Sequence, residues 1–326
     1  MKAWVGRELP AGTDYHLEEF PRPEAGPQEL VLRVRAIGIN RVDQRPKTSH
    51  FSHTAPAPAA IPGLEAAGEV VEVGPGAGDW RVGDRAMAMV QGGAAEFVRV
   101  NCKLAMKVPV TISWAEAGAI PVSYLTAYDA MVMRGHIKAG DHLLIHAVTS
   151  GVGIASVQLG KLLSAASIGG SSTSKAKLAQ AMEAGLAYGI LDPYRGFAQE
   201  TVDATGGHGA DVIIDNIGGS ILDETLRAAA FGARIIDVGR MGGAKAELDL
   251  DRLAIRRASL IGVTFRTRSL DEHAEICARF MADHGRHVAE GYLKPVLSKT
   301  FDFSDFAAAA AFARVGSTYG KVVVTL

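Results

Sequence analysis

Cysteine is almost absent from this chain: Cys102 and Cys277 are the only two in 326 residues. Two thiols cannot build a disulfide framework, and they are too few for a zinc site made of cysteines. This composition excludes the small disulfide-stapled folds and predicts a protein of the reducing cytoplasm. The length is sufficient for two domains.

Neither sign of charge is in excess, since 34 lysine and arginine residues are matched by 35 aspartate and glutamate residues, for a net charge of −1. No positive field is therefore available to attract nucleic acid. Hydrophobic residues make up 48% of the chain, yet no uninterrupted apolar run reaches the roughly 18 residues of a membrane span. The N-terminal segment lacks the apolar core of a signal peptide. We therefore expect neither a nucleic-acid nor a membrane partner.

The first third of the chain contains short apolar runs separated by glycine and proline, a pattern typical of a β barrel or sandwich. These runs are residues 2–5, 30–39, 69–73, 85–90 and 95–100. The proline- and alanine-rich residues 49–62 are interpreted as an exposed loop. Helical periodicity begins only with residues 114–133, which suggests a separate N-terminal β region.

From residue 141 onward, short apolar segments alternate with helical ones. Strands are predicted at residues 143–147, 166–169, 189–191, 212–215, 234–238 and 260–263, and helices between them include 175–184 and 221–229. This alternation predicts an α/β fold with a doubly wound parallel sheet.

The tail carries helical patterns at residues 270–282 and 306–313 and a last strand at 321–326. A strand this short cannot form its own sheet. We therefore expect it to return to the N-terminal β region.

One strand–turn–helix unit, residues 141–163, has the pattern of an anion-binding site. The N–H groups and dipole at the start of its helix favour a pyrophosphate. Aligned on G-x-G-x-x-G, Val148 and Ser150 replace the first two glycines, Gly153 matches the third, and Gly151 is an extra glycine. Many such turns bind no ligand, so the turn alone leaves both interpretations open.

The segment after this turn lacks an acidic residue. NAD-binding units hold the adenosine ribose with an acid about 20 residues further on, but no Asp or Glu occurs between Asp141 and Glu183. Residues 169–177 read Gly-Gly-Ser-Ser-Thr-Ser-Lys-Ala-Lys instead. Hydroxyl and ammonium groups suit a 2′-phosphate, which predicts NADPH. The alternative is an ordinary serine cap of the next helix.

Several segments share their order and spacing with a known enzyme family. They are AIGINRVD at 36–43, IPGLEAAG at 61–68, VG at 73–74 leading to VGDR at 82–85, LTAY at 125–128, HAVTSGVG at 146–153 and GKVVV at 320–324. In these the chain resembles the medium-chain dehydrogenase/reductase superfamily, and within it the zinc-free, zeta-crystallin-like quinone oxidoreductase branch.

The resemblance covers nearly the whole chain and implies a domain layout. A chaperonin-10-like β domain would comprise residues 1–121 and 263–326, with a Rossmann domain at 122–262 inserted into it. The family also implies a cleft between the two domains for the nicotinamide, and a homodimer.

The resemblance also bears on zinc, because zinc alcohol dehydrogenases of the superfamily carry cysteine at the position of Asn40 and histidine at that of Leu64. Leucine cannot ligate a metal, and asparagine is a poor zinc ligand. The cysteines of a structural zinc site are also missing from residues 87–96. His50 and His53 lie in the proline-rich loop rather than on a helix, so they are not taken as ligands. The sequence thus predicts a metal-free protein.

The resemblance assigns cofactor contacts position by position. The pyrophosphate is expected at Gly151, Val152 and Gly153, and the 2′-phosphate at Ser174 and Lys177. The two riboses are expected at Asn216, Val238, Gly239 and Arg240. The nicotinamide ring is expected near Asn40, Asp43, Thr126, Thr264 and Phe265. Each of these residues has the alternative of being a strand-end or loop residue with a purely structural role.

One departure from the family opposes the NADPH prediction: Asp192 stands where relatives often carry tyrosine, although Tyr194 is two residues away.

Three other residues are given structural interpretations. His146, inside an apolar strand, is interpreted as a satisfied core histidine, and Tyr124 and Tyr128, one helical turn apart, as packing residues.

The predicted function is NADPH-dependent transfer of a hydride to a quinone without a metal ion. Negative charge develops on an acceptor oxygen, and the candidate hydrogen-bond donors are the Asn40 amide and the Arg41 and Arg45 guanidinium groups. No single catalytic residue is assigned. The closest alternative is reduction of an activated C=C bond in an enal or enone. The other is a nucleotide-binding protein without turnover, since a fold does not fix a function.

Overall fold

The computed structural model describes residues 1–9, 12–44, 61–316 and 318–326. The chain divides into two compact units: unit 1 is Met1–Leu125 with Phe265–Leu326, and unit 2 is Thr126–Thr264. The domain boundaries predicted after residues 121 and 262 stay a prediction. Most of the predicted loop 49–62 lies outside the described residues, as do Arg45, His50 and His53.

The N-terminal part of the chain is mostly β, as predicted. In chain order it forms β1 (Lys2–Leu9), β2 (Gly12–Glu19), β3 (Glu29–Ile39), β4 (Glu65–Val73), β5 (Arg85–Met89), β6 (Phe97–Asn101), β7 (Ala105–Lys107), α1 (Trp114–Gly118) and α2 (Pro121–Tyr128). A short 3-10 helix, Arg41–Gln44, follows β3. A π-helix, Asp129–Arg134, follows α2.

Unit 2 alternates strands and helices. Its elements are β8 (His142–Ile145), α3 (Gly151–Leu162), β9 (Ser167–Ser172), α4 (Lys175–Glu183), β10 (Tyr188–Leu191), α5 (Ala198–Ala204), β11 (Ala210–Asp215), α6 (Leu222–Ala228), β12 (Ala229–Asp237), α7 (Leu250–Arg256) and β13 (Ser259–Gly262). The strands form one parallel sheet in the order β10-β9-β8-β11-β12-β13. Counted from β8, this is the 3-2-1-4-5-6 order of a doubly wound fold. The predicted sheet is confirmed.

The C-terminal part of the chain returns to unit 1. It forms α8 (Leu270–Ala289), β14 (Leu297–Asp302), α9 (Phe306–Arg314) and β15 (Lys321–Thr325). β15 lies between β14 and β3 in the sheet and pairs antiparallel with β3, Val322 opposite Ile39. The predicted return of the last strand to the N-terminal strands is therefore confirmed.

Each unit has its own apolar core. In unit 1 the buried side chains of Leu30, Ile37 and Val324 pack with Phe306 of α9. In unit 2 the central strands contribute fully buried residues, among them Leu144, Ile213 and Ile235. These continuous apolar strands reflect burial on both faces of the sheet. None of the helices in the described ranges is long and apolar enough to cross a membrane.

Two of the elements that differ from the sequence prediction have a clear physical reason. β14 was not expected, because its sequence Leu-Ser-Lys-Thr-Phe-Asp is polar and it forms the exposed edge of its sheet, where no apolar pattern is required. α8 continues to Ala289 instead of ending at residue 282, since its buried face includes His273, His284 and Val288 beside apolar residues. Histidine on a buried helix face weakens the apolar periodicity from which helix length is predicted.

Candidate functional site

Most of the predicted cofactor residues follow the carboxyl ends of strands in the unit 2 sheet. Residues 151–153 follow β8, Ser174 and Lys177 follow β9, Asn216 follows β11, and residues 238–240 follow β12. Because the strands are parallel, all these loops leave the same edge of the sheet. The strand order reverses between β8 and β11, and in such sheets the ligand crevice lies at that point.

The turn between β8 and α3 is tightly closed at Gly153. The Ser150 side chain caps α3 by accepting a hydrogen bond from the Gly153 N–H at 3.1 Å. A Cβ at Gly153 would lie 2.5 Å from the Val148 carbonyl oxygen, so only glycine fits. The first N–H groups of an α-helix lack acceptors within the helix. The start of α3, with Gly151 and Val152, thus has the chemistry of a phosphate site.

The end of β9 presents hydroxyl groups instead of a carboxylate. Ser172 ends the strand, and its Oγ accepts a hydrogen bond from the Ser174 N–H at 3.2 Å. Ser174 caps α4 by accepting from the Lys177 N–H at 3.4 Å. Ser174 is therefore a helix cap, which is the structural alternative named for it. The capping hydroxyl of Ser174 and the half-buried Lys177 nevertheless place no carboxylate directly after β9.

Asp192 lies beside this position and its charge is compensated. Its N–H donates to the Ser172 carbonyl at 3.0 Å. Its carboxylate accepts from the Tyr194 N–H at 3.3 Å and forms an ion pair with Arg195 at 3.0 Å. Asp192, whose charge opposed the NADPH prediction, is thus paired with Arg195, a residue that was not predicted to take part in the site.

The ends of β11 and β12 are held together through their backbones. Buried Asn216 donates its Nδ2 hydrogen bond to the His146 carbonyl at 2.9 Å. The Asp215 carbonyl accepts from the Gly239 N–H at 3.1 Å. A Cβ at Gly239 would lie 2.2 Å from the Asn216 carbonyl oxygen, so glycine is required for this approach. Asn216 and Gly239 thus stabilise the backbone at these strand ends, whether or not a ribose contacts them.

Arg240 is tied to its own strand end. Its guanidinium forms an ion pair with Asp237 at 3.0 Å and donates to the Val238 carbonyl at 3.2 Å. Burial raises the pKa of Asp237, while the charge of Arg240 lowers it. A ribose contact by Arg240 would require this ion pair to open, and that contact stays a prediction.

His146 at the end of β8 is only half satisfied. Its ring is fully buried, and Nδ1 lies 3.0 Å from Ser171 Oγ. Nε2 has no hydrogen-bond partner among the described residues, and the ring meets the Phe197 ring edge to face at 4.7 Å between centroids. Burial lowers the pKa of His146 to about 3, so the ring is neutral. The expectation that His146 is a core histidine is correct. The expectation that both of its ring nitrogens have hydrogen-bond partners is not met among the described residues.

Unit 1 contains the buried polar cluster, defined as Asn40, Asp43, Glu65 and Lys321. Glu65 and Lys321 are buried and form an ion pair. Lys321 Nζ also donates to Asn40 Oδ1 at 2.7 Å, and Asn40 Nδ2 donates to Glu65 Oε1 at 2.9 Å. The second Glu65 oxygen accepts from the Val122 N–H at 2.8 Å. The cluster therefore joins β3, β4, β15 and the start of α2.

This network changes the expected role of Asn40. Its two amide hydrogens are directed to Glu65 Oε1 and to the Gly38 carbonyl, the latter at 3.3 Å. An amide engaged in this way is not available as a donor to a developing oxyanion. The candidate donor role of Asn40 is thus not supported, and the donor role of Arg41, in the 3-10 helix that follows β3, stays a prediction.

Asp43 is the least satisfied member of the buried polar cluster. Its Oδ2 accepts from the Asn40 N–H at 2.6 Å, while Oδ1 has no hydrogen-bond partner among the described residues. Burial, with a smaller contribution from the charge of Glu65, raises the pKa of this carboxyl to about 7, and the hydrogen bond from Asn40 and the charge of Lys321 oppose the rise. Asp43 therefore exchanges a proton near neutral pH.

Of the remaining predicted residues, Thr264 also follows a strand of the unit 2 sheet, whereas the other four do not. Thr126 is half-buried in α2, and exposed Thr264 follows β13. Phe265 is buried in unit 1, where its ring lies 4.8 Å from the His273 ring. Asn40 and Asp43 also belong to unit 1. The nicotinamide contacts of these five residues stay a prediction.

Two residues with a clear structural role were missed. Lys321 heads an apolar strand, and a lone lysine before Val-Val-Val was a signal that it is buried against an acid. Arg195 carried no comparable signal, because its pairing depends on the left-handed backbone of Asp192, φ +58°.

Two family models match the chain. The model described as "Alcohol dehydrogenase GroES-like domain" matches residues 26–112, and the model described as "Zinc-binding dehydrogenase" matches residues 151–282. The first agrees with the expected chaperonin-10-like β domain. The second begins at the start of α3.

Similar proteins align along nearly the whole chain. A segment of the mycoketide-CoA synthase of Mycobacterium tuberculosis is 31% identical over 323 residues, which is 97% of this chain but 7% of that protein. Quinone oxidoreductase-like protein 2 of Bos taurus is 28% identical over 311 residues, covering 95% of this chain and 88% of the relative.

A solved structure extends the likeness to the fold. The crystal structure of an NAD-dependent alcohol dehydrogenase matches with a TM-score of 0.84 at 25% identity and covers 100% of both chains. Its agreement, together with the family models and the quinone oxidoreductase-like relative, shows that this chain belongs to the medium-chain dehydrogenase/reductase superfamily, whose oxidoreductases use nicotinamide cofactors.

Proposed function

We propose that this protein binds NADPH and transfers hydride to a quinone without a metal ion. The observation that carries the cofactor choice is the end of β9, where Ser172, Ser174 and Lys177 stand in place of an acid. A carboxylate there would accept a hydrogen bond from a ribose hydroxyl, whereas hydroxyl and ammonium groups donate hydrogen bonds to a phosphate.

Different loops at the carboxyl edge of the unit 2 sheet suit different parts of this cofactor. The start of α3, at Gly151, Val152 and Gly153, suits the pyrophosphate. Ser174 and Lys177 suit the 2′-phosphate. The loops that carry Asn216, Val238, Gly239 and Arg240 suit the riboses. A bound nicotinamide supplies the hydride, and the protein supplies orientation and exclusion of water.

The metal-free character is supported by the residues at the family's zinc positions. Leu64 offers no ligand atom, and both polar atoms of the Asn40 side chain are engaged, Oδ1 with Lys321 and Nδ2 with Glu65. Within the described ranges no group of three or more His, Cys, Asp or Glu side chains has the geometry to hold a metal ion. These residues do not fit a zinc ion, although one matching family model is named for zinc binding.

Quinone reduction is the first choice of acceptor because of the 28% identity with the quinone oxidoreductase-like relative over 95% of this chain. Reduction of an activated C=C bond in an enal or enone needs the same hydride donor and is retained as the second acceptor class. Proton delivery to either product is not assigned to a residue.

Steady-state oxidation of NADPH by a simple benzoquinone and by a simple enone tests this function. We expect turnover with the quinone, and we expect untagged protein dialysed against a chelator to keep its activity. Turnover with the enone alone would move the proposal to the second acceptor class. Near-stoichiometric zinc, lost together with activity on chelation, would contradict the metal-free mechanism, and tight NADPH binding without turnover would indicate a binding protein.

We also infer a homodimer that forms along β13. In the described part of the chain β13 is the last strand of its sheet, and Leu260 on it is 43% exposed. Exposed Ile255 and Leu250 on α7 and Phe231 on β12 add apolar surface to the same end of unit 2. An exposed edge strand is a template for pairing with a second copy.

Leu260→Asp should therefore turn a dimer into a monomer in light scattering, because it places a charge at the pairing edge. Val82→Asp is the matched control, since Val82 is an exposed valine in unit 1. Its replacement should leave the molar mass of the dimer in light scattering unchanged. A wild-type monomer, or a dimer that survives Leu260→Asp, would contradict this assembly.

A further inference from the structure

The end of β10 places a charge pair beside the end of β9. Asp192 follows β10 directly, and its N–H donates to the carbonyl of Ser172, the last residue of β9. In dinucleotide-binding sheets the residue at this strand end contacts the adenosine ribose. The backbone of Asp192 is therefore about one strand spacing, ~4.8 Å, from that of Ser172, the strand end beside which a 2′-substituent is expected.

The local backbone brings Arg195 to the same place. Asp192 adopts a left-handed conformation, φ +58°, and caps the 3-10 turn Pro193–Arg195 by accepting from the Tyr194 N–H. This turn folds the Arg195 guanidinium back, so that Nε lies 3.0 Å from Asp192 Oδ2. The Arg195 side chain is 86% exposed, so it can move without losing buried packing.

The strengths of the two available contacts differ. An ion pair between exposed side chains is weak, because water and salt screen it. A guanidinium bound to a phosphate is stronger, since the phosphate carries more charge and accepts two N–H groups in a matched geometry. A 2′-phosphate within reach would therefore compete successfully with Asp192 for Arg195.

We propose that Arg195 determines cofactor specificity: it leaves Asp192 to bind the 2′-phosphate of NADPH, and it stays on Asp192 when NADH is bound. Asp192 is then the competitor that limits the preference for NADPH. This inference rests on the proposed binding of NADPH at the end of β9.

Calorimetric binding of 2′,5′-ADP and of ADP tests the inference without turnover, because the two probes differ in the 2′-phosphate. Arg195→Ala should weaken 2′,5′-ADP binding about tenfold and leave ADP unchanged. Arg286→Ala is the matched control. Arg286 is also 86% exposed and pairs with Glu290 at 2.6 Å in α8, so its loss should change neither probe.

Asp192→Asn tests the competition directly. Asparagine tolerates the left-handed backbone and can still accept from the Tyr194 N–H, so the turn is retained. Without the carboxylate, Arg195 is released, and 2′,5′-ADP should bind roughly threefold to tenfold more tightly. In the Arg195→Ala variant, Asp192→Asn should increase the affinity for 2′,5′-ADP by a smaller factor. There it removes only the repulsion between the Asp192 carboxylate and the 2′-phosphate.

The inference would be overturned if Arg195→Ala had no effect on 2′,5′-ADP binding, or if it weakened the binding of both probes equally. Weaker ADP binding in Asp192→Asn would also overturn it, because it would show that Asp192 holds a free ribose hydroxyl. Lys177→Ala separates this failure from failure of the proposed function. If it weakens 2′,5′-ADP roughly tenfold to a hundredfold while Arg195→Ala has no effect, NADPH binding stands and Arg195 is not involved. Equal affinity of wild type for the two probes would refute both.

Discussion

Replacing Lys321 with methionine should lower the free energy of unfolding by about 3–5 kcal/mol, because it leaves a buried carboxylate without its cation. Lys321 is 5% exposed and Glu65 is fully buried. After the change, the hydrogen bonds that the described residues give Glu65 would be those from Asn40 Nδ2 and the Val122 N–H. Methionine preserves the unbranched length of the side chain, so the charge is the main loss. Chemical denaturation monitored by far-UV circular dichroism measures it.

Lys103→Met is the matched control for this prediction. Lys103 also pairs with a carboxylate, Asp271, at 3.1 Å, but both side chains are exposed. Its replacement should cost less than about 1 kcal/mol. Adding Glu65→Gln to Lys321→Met should recover part of the stability, since the uncompensated charge is removed. A loss below about 1 kcal/mol in Lys321→Met alone would show that the ion pair does not stabilise the fold.

Asp43→Asn should make the protein more stable than wild type at alkaline pH, with a difference that grows by about 2–3 kcal/mol between roughly pH 5 and pH 8. The pKa of the Asp43 carboxyl is raised from 3.8 to about 7 in the folded protein. Below the unfolded pKa, the carboxyl is protonated in both states and costs nothing. As pH rises towards the folded pKa, the unfolded chain loses its proton first, so the folded state loses stability.

The design of this variant isolates the titration. Asparagine can keep the acceptor for the Asn40 N–H, and it carries no charge near Glu65 and Lys321. Asp84→Asn is the control: the ion pair with Lys107 lowers the pKa of Asp84, so its titration falls below the measured window and the difference from wild type should be flat. Parallel pH profiles of wild type and Asp43→Asn would contradict the raised pKa.

The parts of the fold that sequence predicted are those set by local patterns. The alternation of apolar and helical segments was sufficient for the parallel sheet of unit 2, and the turn before α3 showed its tight glycine at Gly153. β15 was placed correctly because an isolated apolar strand must pair elsewhere. β14 was missed, since an edge strand needs no apolar face.

The parts that sequence did not predict depend on contacts distant along the chain. Lys321 meets Asn40 across 281 positions and Glu65 across 256, and no local pattern specifies such a meeting. The Asn40 amide hydrogens are engaged by Glu65 and by the Gly38 carbonyl, so the expected donor role of Asn40 is not supported. Arg195 was missed for a different reason, because its position follows from the unusual backbone of Asp192 and not from spacing alone.

We propose that the hydroxyl- and lysine-lined end of β9 selects NADPH. Dissociation constants of wild-type protein for NADPH and NADH, measured by calorimetry in one buffer at one salt concentration, test it most directly. We expect NADPH to bind about tenfold or more tightly than NADH, because of a charge-assisted contact to the 2′-phosphate. Equal affinities, or tighter binding of NADH, would contradict it.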